Sequence, residues 1–147
     1  GNGVLYGINI FHPRKDSGAA RMAGGAGSDL MIGGQPCDGD SFSGGPGEND
    51  NATFTRVHNS GVNVEATIGG PVLDPDVGGC TLGSIDLTVE KLEGTAGPDV
   101  LIGSSGPNLL LGRGGNDRLD GRGGSDRCVG GTGRDQASNC ERVSSVP

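Results

Sequence analysis

Along residues 94–138 one apolar or small residue returns at every ninth position: Leu101, Leu110, Leu119, Cys128 and Ala137. Successive side chains of a strand point to opposite faces, so a triplet such as Arg118-Leu119-Asp120 is a minimal strand with its middle residue turned inward. The six residues before each triplet must then be a turn. Glycine fills the first place of every unit (Gly94, Gly103, Gly112, Gly121, Gly130) and the fourth (Gly97, Gly106, Gly115, Gly124, Gly133). Asp99, Asn108, Asp117, Asp126 and Asp135 fill the sixth, at the end of each turn. Glycine supplies the positive φ of tight turns, and aspartate is a common turn residue. Two turn-and-strand units close one coil, and like positions in successive coils stack at about 4.8 Å. The pattern predicts an all-β fold, a right-handed parallel β-roll (a β-solenoid) with its position-eight residues inside.

The same frame reappears near the front of the chain. Residues 24–32 match fully, with Asp29 at position six and Met31 at position eight. Residues 33–43 carry two extra residues and place Asp40 and Phe42 in those positions; residues 44–53 carry one extra and place Asp50 and Ala52 there. Residues 15–23 keep only Gly18 and Met22 of the pattern. Between the blocks, residues 62–68 and 85–89 alternate apolar and polar side chains, the mark of half-buried strands. Residues 89–93 fall back into frame, with Glu90 at position six and Leu92 at position eight. The expected organisation is one elongated domain over residues 1–147. Within it, 1–23 form an N-terminal cap and a degenerate coil, 24–53 a first repeat block and 54–93 a β-strand insert. A second block spans 94–138, and 139–147 form a C-terminal cap.

These units resemble the RTX (repeats-in-toxin, haemolysin-type) calcium-binding nonapeptide GGxGxDxUx, over about three quarters of the chain. In proteins of that kind an insert often joins two runs of repeats without ending the roll. The chemistry of position six agrees. Carboxylates stacked at strand spacing repel unless a cation lies between them, and calcium takes 6–8 oxygen ligands, carboxylates and backbone carbonyls among them. The expected ligands are Asp29, Asp40, Asp50, Glu90, Asp99, Asn108, Asp117, Asp126 and Asp135. Asp117 pairs with Asp99 and with Asp135 on one edge, and Asn108 with Asp126 on the other. Asn108 keeps an oxygen but drops a charge, which weakens its site. Asp29 has its nearest partner in a turn displaced by insertions. Ordinary aspartate turns are the plainer alternative, but independent turns have no reason to hold one register through five units.

With 3% aromatic residues, no tryptophan and 31% hydrophobic residues in 147, the chain cannot build a large layered core, so its stability must lean on metal. The net charge of −7 lies wholly in residues 1–93. An acidic chain does not engage nucleic acid through phosphates, in spite of Arg113, Arg118, Arg122, Arg127 and Arg134. Those arginines occupy turn or outward positions, where solvated charge limits edge-to-edge aggregation.

Four cysteines allow three pairings, of which Cys128–Cys140 and Cys37–Cys80 are the expected ones. No C-x-x-C spacing recommends zinc. Disulfides imply an oxidising, calcium-rich compartment, hence a secreted, extracellular protein, which the resemblance makes bacterial. The chain shows no membrane span and begins with glycine, as a mature or excised fragment would. Residues 74–79 begin like an EF-hand loop, but Ile85 stands where glutamate is needed. Asn51-Ala52-Thr53 matches a glycosylation sequon. His12 and His58 belong to no catalytic constellation, so no enzyme is expected. The expected function is a calcium-binding module of a larger secreted protein, folding on calcium outside the cell. The alternative is an extracellular structural or adhesive subunit whose roll ends self-associate into filaments.

Overall fold

The computed structural model describes residues 3–6, 21–33, 39–54, 63–74 and 80–145, all of them strand, turn or irregular backbone. The strands are β1 (Val4–Tyr6), β2 (Arg21–Ala23), β3 (Leu30–Ile32), β4 (Asp40–Ser43), β5 (Asn51–Thr53), β6 (Glu65–Thr67), β7 (Gly70–Asp74) and β8 (Cys80–Ile85). They continue as β9 (Lys91–Glu93), β10 (Val100–Ile102), β11 (Leu109–Gly114), β12 (Arg118–Asp120), β13 (Arg127–Thr132), β14 (Gln136–Ser138) and β15 (Arg142–Ser144). They form a β-solenoid of about six turns. One wall is a parallel sheet in the order β1-β3-β5-β9-β11-β13-β15, and the other runs β14-β12-β10-β6-β7-β8-β4-β2.

The register follows the nonapeptide. Leu101 pairs with Leu119 and Leu119 with Ala137 on one wall, and Leu110 pairs with Cys128 on the other. Each inward residue therefore stacks on its counterpart one coil away. Met31, Ala52, Leu92, Leu110 and Cys128 line one wall and Met22, Phe42, Ala66, Leu101 and Leu119 the other, all buried in one continuous core. Phe54, just past β5, meets Phe42 edge to face at 5.5 Å. Gly33 leaves room for it, since a Cβ there would lie 2.8 Å from the Phe54 ring. The core is one side chain deep on each wall, so the turns carry much of what holds successive coils together.

The interruption is built into the wider wall. β8 pairs in parallel with β4, and β6 in parallel with β10. β7 runs antiparallel to both and separates them. The narrower wall does not register the event, because β5 pairs directly with β9. The 62–68 alternation shortens to β6, and the 85–89 alternation is not a strand. Ile85 ends β8, and the Asp86 carboxylate accepts the N–H of Thr88 (2.9 Å) and its hydroxyl, which closes a turn with Leu87 exposed. Residues 74–85 are strand at both ends, as β7 and β8, with 75–79 outside the described residues.

At the front, β1 covers β3 in parallel, but Val4 stays 54% exposed, and Ile8, Ile10 and Phe11 lie outside the described residues. At the rear, β15 pairs with β13, and the expected Cys128–Cys140 disulfide is present. Cys37 lies outside the described residues, and its expected pairing with Cys80 lies outside them too. No helix among the described residues is long and apolar enough to cross a membrane.

Candidate metal centre

The position-six side chains stand in two columns, one along each edge of the roll, and Asp29, Asp50, Glu90, Asp99, Asp117, Asp126 and Asp135 each accept a backbone N–H from the coil before. On the edge leading into the wider wall, the backbone N–H of Asp99 donates to Asp117 Oδ1 (2.9 Å) and that of Asp117 to Asp135 Oδ1 (2.9 Å). Val64 N–H donates to Asp99 Oδ1 (2.8 Å), so the column begins inside the insert. On the opposite edge Asp29 N–H donates to Asp50 Oδ1 (2.7 Å) and Asp50 N–H to Glu90 Oε2 (2.9 Å). Further along, Asn108 N–H reaches Asp126 Oδ1 (2.8 Å) and Asp126 N–H reaches Glu141 Oε2 (2.5 Å). The insertions before Asp50 do not break its rung to Asp29, since the extra residue is absorbed in a turn where Asn49 takes φ 70°. Asp40 is buried at the head of β4, opposite Gly83; the turn before it, 34–38, lies outside the described residues.

Five of these carboxylates keep one oxygen buried and without a hydrogen-bond donor: Oδ2 of Asp29, Asp50, Asp117, Asp126 and Asp135. An anionic oxygen taken out of water with no partner is costly, and a cation is the usual remedy. The space beside it is shaped by the position-one glycine. A Cβ on Gly24 would fall 2.5 Å from Asp29 Oδ2 and 2.6 Å from the carbonyl oxygen of Gly44 in the next coil. The same pair of oxygens, one carboxylate and one next-coil carbonyl, crowds Gly44, Gly112, Gly121 and Gly130. Two oxygens thus converge over each of these glycines, a donor set that suits a hard cation such as calcium and offers no nitrogen or sulfur. Among the described residues no three carboxylate, imidazole or thiolate side chains cluster, so main-chain carbonyls would have to complete any coordination shell.

Two turns are built differently. In 94–99 and 103–108, position two is Thr95 or Ser104 rather than glycine or arginine, and it caps the turn's own end. Thr95 N–H donates to Asp99 Oδ2 (2.7 Å), and Ser104 N–H to Asn108 Oδ1 (2.7 Å), with the hydroxyls at 3.1–3.2 Å. Those hydroxyls in turn accept Gly97 and Gly106 N–H. In five other turns position two sits at positive φ: Gly25 at 92°, Gly45 at 95°, Arg113 at 86°, Arg122 at 67° and Gly131 at 117°. The N–H groups of Gly45, Arg122 and Gly131 donate elsewhere, to the Thr88 hydroxyl, Asp120 Oδ1 and the Ser145 carbonyl, and Oδ2 is left bare in all five turns. Asp99 and Asn108 are therefore less available to a metal than Asp117, Asp126 and Asp135.

Burial raises the pKa of three column carboxyls, the bare Asp117 and Asp126 and the self-capped Asp99. Burial pushes Asp117 up to about 7 against the Asp99 N–H bond, and the charges of Asp99 and Asp135 add to the rise. Burial lifts Asp99 to about 6 in spite of its Thr95 and Val64 bonds. Asp126 moves upward through burial and the nearby charges of Glu141 and Asp120. A carboxyl whose folded pKa lies above its unfolded value near 3.8 stabilises the fold most when protonated. That contribution is complete below about pH 4 and lost as the pH rises through about 7. Whatever β structure survives chelation should thus melt at a higher temperature at about pH 5 than at about pH 8. With calcium bound the order should reverse, because protons compete with the ion. A metal-free melting temperature that climbs over the same interval would contradict the assignment.

Glu141 was not among the residues expected from the sequence. Its turn is short: Asp126 meets it fifteen positions on, where Asp117 meets Asp135 at eighteen. The longer glutamate side chain reaches where aspartate would in a full turn. Glu90 does the same after the other short turn, and the two stretches, Val89-Glu90-Lys91-Leu92 and Cys140-Glu141-Arg142-Val143, are alike. That likeness is the signal that could have found it. Arg113 is solvent-exposed, as expected, and its guanidinium also pairs with buried Glu93, which Lys91 approaches at 3.7 Å. Asn51 of the sequon sits in β5 with its amide nitrogen donating toward Glu93 Oε2 (3.4 Å).

Stacked three-residue strands, position-one glycines and edge columns of carboxylates define a parallel β-roll with oxygen-lined turns. Residues 16–35, 89–106, 93–128 and 102–137, just under half of the chain, match the RTX calcium-binding nonapeptide repeat. No curated protein matches the chain in sequence.

Proposed function

We propose that the chain is a calcium-binding β-roll module of a secreted bacterial protein, non-catalytic itself, which folds and gains its stability when calcium binds outside the cell. The observation that carries this reading is the set of five buried, donor-less Oδ2 atoms beside the position-one glycines. Asp117, Asp126 and Asp135 in the second block, and Asp29 and Asp50 in the first, would hold the ions together with main-chain carbonyls. Glu90 and Asp40 would contribute at the insert, and Asp99 and Asn108 would contribute least. Calcium supplies the positive charge that lets the stacked carboxylates stay ionised. Unliganded, the same carboxylates repel, so the chain would travel unfolded through a calcium-poor interior. The second expected disulfide, Cys37–Cys80, would tie the first block to the insert in the same oxidising compartment.

The test is a calcium titration of the chelated chain followed by circular dichroism and light scattering. Extracellular calcium modules bind at about 10⁻⁴–10⁻³ M, and the β signal is expected to rise over that range with the chain monomeric. A midpoint at or below about 10⁻⁷ M, within reach of intracellular buffers, would overturn folding outside the cell. Exposed Val4 and Val143, on the terminal strands of the narrower wall, favour the filament-forming alternative, and calcium-dependent fibres in the same titration would put it first.

A further inference from the structure

The last turn of the roll repeats the architecture of a cation site beyond the residues that match the repeat, which end at 137. Gly121 occupies position one. A Cβ there would meet Asp126 Oδ2 at 2.6 Å and would press on the carbonyl oxygen of Asn139. In the coils before it, that carbonyl comes from the next glycine, as Gly121 supplies it to Gly103 at 2.6 Å. Asn139 takes the place of that glycine, at φ 51° where the position-one glycines have no positive φ. Asp126 is 2% exposed, and its Oδ2 has no donor. Glu141 closes the turn by accepting the Asp126 N–H (2.5 Å).

What holds this turn is not apolar packing. All three side chains of β15 are exposed, Val143 among them at 51%. The strand is kept by its pairing with β13, by the Arg142 N–H bond to the Asp126 carbonyl (3.1 Å) and by the Cys128–Cys140 disulfide. Cys128 is a fully buried position-eight residue, and Cys140 immediately precedes Glu141. The covalent bond therefore anchors the short turn to the core one residue from its carboxylate. The equivalent short turn before β9 has no such bond. Val89 stands where Cys140 does and is fully buried, which anchors Glu90 by packing rather than by a covalent bond.

We propose that Asp126 and Glu141, with the Asn139 carbonyl, hold a terminal calcium ion, and that the Cys128–Cys140 disulfide is the positioning element that makes this site. The inference rests on the calcium reading above and adds an oxidation requirement confined to the last coil. Oxidised chain gains the terminal ion; chain lacking the disulfide keeps the interior ions and loses this one.

The experiment counts calcium ions bound to the full oxidised chain, to Glu141→Gln and to Cys128→Ala with Cys140→Ser, by equilibrium dialysis. Hydrogen exchange over residues 139–145 is followed with and without calcium. Each variant is expected to bind one ion fewer than the parent, and calcium is expected to slow exchange over 139–145 in the parent alone. Glu141→Gln keeps the disulfide and the strand pairing, so its loss of an ion cannot be laid to unfolding. An unchanged count and affinity in Glu141→Gln would overturn the terminal site. A full count in the cysteine variant would overturn the role of the disulfide. Failure of the parent to bind calcium at all would defeat the general reading as well, and is thereby distinguishable from failure of the terminal site alone.

Discussion

Chelating calcium from the oxidised chain is expected to abolish most of its β-sheet circular dichroism near neutral pH and to lower or erase its thermal transition. An ion present at 100 times its dissociation constant stabilises the state that binds it by about 2.7 kcal/mol. Domains of this kind have a total stability of only about 5–15 kcal/mol, so a few occupied sites account for all of it. The core cannot make up the loss, because each strand contributes one inward side chain, and several of those, Ala52, Ala66 and Ala137, are small. Nor is the loss passive. Without the ion, Asp117 faces the charges of Asp99 and Asp135 in a buried column. The Cys128–Cys140 bond will survive chelation, and closing a loop of that order restrains the unfolded chain by about 3 kcal/mol, which limits how far the last coil opens. Restoring calcium should return the spectrum. Superimposable spectra and melting curves with and without chelator would remove the metal from the account of folding.

The legible part of the fold is the part in which each position has one physical duty. Position eight must be apolar to face the core, position one must lack a Cβ, and position six must carry an oxygen. Those three constraints repeat every nine residues, and the resulting register, Leu101 on Leu119 on Ala137, is the one observed. The insert was less legible because its strands answer to neighbours far away in sequence. β7 runs antiparallel between β6 and β8, which no local pattern requires, and Leu87 breaks an alternation that looked like a strand because Asp86 forms a turn with Thr88. Glu141 escaped notice for the opposite reason. Its turn is so short that the period is lost, and only geometry shows a glutamate doing an aspartate's work. The distinction between self-capped and bare turns was visible at position two, in Thr95 and Ser104 against Gly25, Gly45 and Gly131. Periodicity gives weight to invariant positions and passes over a variable one, even when that one decides which carboxylates are left for a metal.

Gly24→Ala and Gly25→Ala, neighbours in one turn, should differ severalfold in cost. Gly25 has φ 92°, a region that costs an L residue about 1–2 kcal/mol, but a Cβ there meets nothing within 4 Å. Its replacement by alanine is therefore a backbone penalty and no more. Gly24 has an ordinary φ, yet its Cβ would lie 2.5 Å from Asp29 Oδ2, 2.7 Å from Asp29 Cβ and 2.6 Å from the Gly44 carbonyl oxygen. None of these can give way cheaply: Asp29 is 2% exposed and held through Oδ1, and Gly44 belongs to the backbone of the next coil. Overpacking of this sort costs about 1–3 kcal/mol, occasionally more. The methyl also fills the space in which the two oxygens converge, so an ion worth about 2.7 kcal/mol at 100 times its dissociation constant goes with it. In saturating calcium, Gly24→Ala should lose about 4–6 kcal/mol and one bound ion, against about 1–2 kcal/mol and no ion for Gly25→Ala. Urea denaturation with parallel calcium counting reads both quantities. Equal losses with equal ion counts would mean that the position-one glycine serves the turn's conformation, as position two does, and not the oxygen cradle.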